Sequence, residues 1–95
     1  MEISGDIANV DTLNLINNGT SLKIADGSEL TNTGYLGIQN TGDEGLTFDG
    51  ELVNADGNTV ITNTKGSFYV SGNVNNQKGK VNLTNKGDAL KITSD

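Results

Sequence analysis

The chain has 95 residues, no Cys, no His and a formal charge of −6 from 12 acidic and 6 basic residues. Without Cys or His it can form no disulfide, no Cys/His zinc site and no His-based catalytic dyad; the acidic balance argues against nucleic acid as a partner. The length allows one small domain or a piece of a larger one, and no apolar run reaches a membrane span or the apolar core of a signal peptide.

Along the chain, apolar residues come in pairs spaced by two, which is strand periodicity. Ile3 and Ile7 come first, then Leu13/Leu15, Leu22/Ile24 and Leu30. Next come Leu36/Ile38, Leu46/Phe48 and Leu52, then Thr59/Ile61, Phe68/Val70 and Val74. Val81/Leu83 and Leu90/Ile92 close the series. Every third member is equivalent, and equivalent members lie 22 to 24 residues apart, with Ile3 a remnant of the column of Leu22/Ile24. A fixed period of that length marks a repeat architecture.

Glycines punctuate the same register. Gly5, Gly27, Gly50 and Gly72 follow one strand column, Gly19, Gly42, Gly66 and Gly87 a second, and Gly34, Gly57 and Gly79 the third. Only Gly37 and Gly45 stand outside these sets. ISGDI at 3–7 and VSGNV at 70–74 are thus one corner, three coils apart. Each repeat reads as three short strands and three turns. The expected fold is all-β: a right-handed parallel β-helix (β-solenoid) of about four triangular coils of 22–24 residues. The hand follows from the right-handed crossover rule for parallel strands. An antiparallel sandwich would not need the same turn at every third strand, and the leucine-rich consensus is missing.

Two asparagine columns complete the pattern. Asn17, Asn40, Asn63 and Asn85 follow the apolar pair of one strand by two residues. Asn9, Asn32, Asn54 and Asn76 follow the apolar residue of another by two. Strand parity points both columns inward at corners, where amides about 4.8 Å apart can bond turn backbone and each other. They are expected to be structural ladders rather than a ligand-binding row.

Residues 1–95 form a single β-helix segment with no legible cap, expected to be part of a longer solenoid. Ile92-Thr-Ser-Asp95 aligns with Val70-Ser-Gly-Asn73, so the two ends match and end-to-end self-association is expected.

Carboxylates are the available catalytic groups. Asp6, Glu29 and Glu51 share one turn column, continued by Asn73. Stacked acids repel, which favours a cation or a raised pKa. A calcium site needs six to eight oxygens, and Lys residues do not converge on this column. These acids are the weak metal candidate; the expectation is a polar edge, with no metal, no cofactor and no catalytic residue. Asp43-Glu44 reads as an exposed loop insertion, and no phosphate-binding glycine motif occurs. Tyr69 is expected to face outward in a column with Lys23, Thr47 and Lys91. Thr31/Thr33 and Thr62/Thr64 fall in different columns, which excludes an ice-binding threonine stripe.

The motifs L-x-I-x-N-x-G and V-x-G-x-V-x-N, as in VITNTKGSFYVSGNVNNQKGKVNLTNKGDALKITSD, resemble the repeats of two-partner-secretion adhesins. The similarity is to the high-molecular-weight adhesins and filamentous-haemagglutinin-like exoproteins of Gram-negative bacteria, and it covers all four coils. It implies a secreted, surface-located fibre that attaches to host cells, exported through an outer-membrane partner. It also implies a host-cell receptor or glycan as partner, a role in virulence and no enzymatic activity. Adhesins of this kind are similar to substrates of a glycosyltransferase that modifies N-x-S/T, which makes Asn18 and Asn82 possible glycosylation sites. The alternative is a fragment of a carbohydrate-active β-helix enzyme of the polysaccharide-lyase type.

Overall fold

The computed structural model describes residues 1–92 as thirteen strands in three parallel sheets. The expected match of residues 93–95 to the corner at 71–73 lies outside the described residues. The first sheet holds β1 (Glu2–Ile3), β4 (Leu22–Ile24), β7 (Leu46–Phe48), β10 (Phe68–Val70) and β13 (Leu90–Ile92). The second holds β2 (Ile7–Asn9), β5 (Glu29–Asn32), β8 (Glu51–Asn54) and β11 (Val74–Asn76). The third and widest holds β3 (Thr12–Asn17), β6 (Tyr35–Asn40), β9 (Asn58–Asn63) and β12 (Lys80–Asn85). Successive strands belong to successive sheets, so the chain winds as a β-solenoid of about four turns.

Each sequence column is a stack of register partners. Leu22 pairs with Leu46, Leu46 with Phe68 and Phe68 with Leu90; Ile24 pairs with Phe48 and Phe48 with Val70. The two phenyl rings therefore sit in different columns of adjacent coils. That staggering sets each ring beside a smaller side chain of the neighbouring coil, as close packing of an interior favours. Leu22, Ile24, Leu30, Leu36, Ile38, Leu46, Phe48, Leu52, Ile61, Phe68 and Val70 form the buried core. Each such side chain contributes about 1.5–3 kcal/mol by leaving water. Ile3, Ile7, Leu13 and Leu15 at one end, and Val74, Val81 and Leu83 at the other, are only partly covered.

One corner needs glycine for two reasons at once. Gly57 and Gly79 have φ of +96° and +100°, a region that L side chains rarely adopt. A Cβ on Gly57 would also lie 2.1 Å from the Gly34 carbonyl oxygen, and one on Gly79 2.0 Å from that of Gly57. Three stacked glycines let the backbones of successive coils close on each other.

Candidate functional site

The two asparagine columns are continuous ladders of inward side chains. In one, Asn17 Nδ2 donates to Asn40 Oδ1 at 2.7 Å, Asn40 to Asn63 at 2.9 Å and Asn63 to Asn85 at 2.9 Å. In the other, Asn9 donates to Asn32 at 2.8 Å, Asn32 to Asn54 at 3.0 Å and Asn54 to Asn76 at 2.9 Å. Both run in the same direction, amide nitrogen towards the later coil. Three of the four Oδ1 atoms in the first ladder also serve their own turn; Gly19, Gly42 and Gly87 donate their N–H to Asn17, Asn40 and Asn85. These amides are occupied with the fold and offer a ligand little.

Thr59 takes an apolar position in the third sheet yet is fully buried. Its hydroxyl donates to Asn54 Oδ1 at 3.0 Å and accepts from Asn32 Nδ2 at 3.2 Å. Ser28 lies in the corner IADGSEL at 24–30, which is two residues longer than FDGEL at 48–52. It is buried, and its Oγ accepts the Gly5 N–H at 3.0 Å. Neither role could be read from one repeat, because Asn32 and Gly5 each lie a coil away.

The acidic turn column forms one wall of an open groove of about 410 Å³, lined by Asp26, Glu29, Asp49, Glu51 and Asn73 among others. Asp6 Oδ1 accepts the Glu29 N–H at 3.1 Å, and Glu29 and Glu51 are register partners. The hydrogen bond with Glu29 raises the Glu51 carboxyl above its ordinary value. Partial desolvation and the charge of Glu29 act the same way, and a bond from Asn73 opposes them. So Asp6 engages backbone, while Glu29 and Glu51 share a proton-dependent contact. Among the described residues no three His, Cys, Asp or Glu side chains gather as metal ligands.

Asp43 and Glu44 are exposed, as a loop insertion requires, and Asp43 meets Lys65 at 3.7 Å. Tyr69 faces outward, with Thr47 and Lys91 as its neighbours on adjacent strands. Of the two sequons, Asn82 points outward from β12 and is exposed. Asn18 is exposed as well, but its Oδ1 accepts the Thr41 hydroxyl at 2.8 Å.

The surface that sequence columns did not single out is the outer face of the third sheet. Its strands are six residues long and present three outward positions each, twelve in all. Lys80 is the one charged residue among them. The rest include Asn14, Tyr35, Gln39, Val60, Thr62 and Asn82. Ile16 is 54% exposed and Tyr35 38%. The first sheet, by contrast, carries Glu2, Lys23 and Lys91 outward, and the second Glu29 and Glu51. The signal was present in the sequence as uncharged residues between the apolar pairs, but it acquires meaning only once four strands lie side by side.

No protein-family model, no curated protein and no solved structure matches the chain, so the geometry of these faces carries the functional argument.

Proposed function

We propose that this chain is a structural, surface-presenting β-solenoid segment of a secreted bacterial adhesin that mediates attachment to host cells. One observation supports the reading above others: a wide, almost uncharged face on a chain of net charge −6, held by a core whose corners are locked by amide ladders. A rigid scaffold presents a surface without the entropy cost of ordering it on contact. On this reading the parent protein reaches the bacterial surface through an outer-membrane secretion partner, and the segment itself catalyses nothing. Beads carrying the 95-residue chain are expected to attach to cultured epithelial cells above the level of albumin-coated beads. Equal attachment would overturn the reading.

The pairing of Glu29 with Glu51 favours a second reading, a fragment of a carbohydrate-active β-helix enzyme, because a carboxyl with a raised pKa is suited to general acid work. A depolymerisation assay on acidic and neutral polysaccharides, with Glu51→Gln as control, separates the two. Cleavage that the variant abolishes would establish the enzyme.

A further inference from the structure

Gly37 is the one glycine inside a described strand. Its φ is not in the left-handed region, so the backbone does not demand glycine there. Glycine weakens a strand interior, and its presence there is a recognised mark of close approach by something else. What approaches is visible: a Cβ at Gly37 would lie 2.6 Å from Asn14 Oδ1 and 3.1 Å from Tyr35 Cε1. The missing side chain lets the Tyr35 ring lean along its own strand, with its edge over the Gly37 backbone. Around it a notch of about 110 Å³ opens on the third sheet, bordered by Ile16, Gln39, Val60 and Thr62. That is room for about three or four waters.

We propose that this notch is a subsite for one uncharged pyranose ring of a host-surface glycan; the proposal rests on the adhesin reading given above. A sugar ring has an apolar C–H face and an equatorial belt of hydroxyls. The half-exposed Tyr35 ring suits the first, since aromatic side chains supply rigid apolar area with a polar tip. The second is met by Asn14 and Gln39, whose amides each hold two donors and an acceptor, and by the Thr62 hydroxyl. Charge decides the class of sugar. The face bears Lys80 alone, and the chain carries −6 overall, so an acidic glycan gains no counter-charge at the notch and meets repulsion on approach. Area decides against a protein partner: four strands about 4.8 Å apart and six residues long give a face of roughly 400 Å², half of the roughly 800 Å² per side that a stable complex uses.

The test is a titration of the isotope-labelled chain, followed by NMR, with chitotriose, maltotriose and galactotriose, and with sialyllactose as the acidic probe. At least one neutral trisaccharide is expected to shift the amide signals of Asn14, Gly37 and Gln39, with Kd in the range of about 1–10 mM. Sialyllactose is expected to bind more weakly. Tyr35→Ala should weaken binding about tenfold or more. Gly37→Val should abolish it while leaving the melting temperature unchanged or higher. The added side chain displaces only the ends of two flexible neighbours, and a β-branched residue suits a strand. Tyr69→Ala, on the first sheet, should change nothing. If no neutral sugar shifts those signals, if sialyllactose binds as tightly, or if Tyr35→Ala binds as the parent does, the subsite is refuted. Beads that attach to cells equally well with Tyr35→Ala would refute the subsite and leave the adhesin reading intact. Sugar binding without cell attachment would do the reverse.

Discussion

Asn40 Nδ2 donates to Asn63 Oδ1 across 2.9 Å, with both side chains fully buried, and this bond ties two coils at the corner that ends the third sheet, where the two residues are register partners. Asn63 also donates to the Gly66 carbonyl of its own turn and to Asn85 of the next coil. Asn63→Ala leaves the Asn40 amide and a turn carbonyl short of partners in the interior. The expected loss is about 1–3 kcal/mol. Asn82→Ala, on the outer face, should change stability by less than about 0.5 kcal/mol. Denaturant titrations of the two variants check the contrast; equal losses would contradict it.

Thr59 gives a finer test of the same network. Thr59→Val keeps the shape but removes a hydroxyl that both donates to Asn54 and accepts from Asn32. The expected cost is about 1–2 kcal/mol, because Val and Thr are not interchangeable where the hydroxyl is bonded. A variant as stable as the parent in urea would mean that the ladders hold without it.

The Glu29–Glu51 contact predicts how stability depends on pH. Glu51 has a folded-state pKa raised above its ordinary value of 4.5. The folded chain therefore binds more protons than the unfolded chain between those two values, and stability falls as pH rises through that window. Below 4.5 the penalty is absent; above the folded pKa it is fully present. Glu51→Gln should remove this slope and raise the melting temperature at neutral pH. Melting curves of parent and variant that stay parallel across the acid range would show that the pair is not coupled in solution.

Self-association of the 95-residue chain has a geometric condition. The ladders point the same way, so the donor amides of Asn76 and Asn85 at one end face the right way for the acceptor oxygens of Asn9 and Asn17 of a second copy. The first sheet, however, has five strands where the others have four. A second copy that continues the second and third sheets brings its β1 onto the place that β13 already fills. One of the two must yield, and β1, at two residues, is the shorter. Removal of residues 1–4 is expected to promote end-to-end stacking at lower salt than the intact chain needs, since salt screens the repulsion between acidic molecules. Light scattering across a salt series reads this directly; two monomeric species throughout would exclude it.

The repeat by itself determined the three parallel sheets, the register, the inward asparagines and the outward place of Tyr69 and Asn82. Strand periodicity and a fixed repeat length leave one arrangement in which every apolar column is internal. Leu13, Leu36, Thr59 and Val81 align on spacing alone. The tertiary structure alone decided matters that depend on neighbours a coil away. Thr59 stands in an apolar column by spacing; its hydroxyl is satisfied by Asn54 of its own coil and Asn32 of the preceding one. Ser28 is placed by the Gly5 N–H, which its Oγ accepts from the preceding coil. Gly37 fitted no glycine column because its purpose is not a turn: it clears space for Tyr35 and Asn14, and Asn14 comes from the adjacent strand. Sequence spacing reports on the backbone of one coil, whereas hydrogen-bond partners and surface relief form between coils, across distances that only the stacked chain brings to contact.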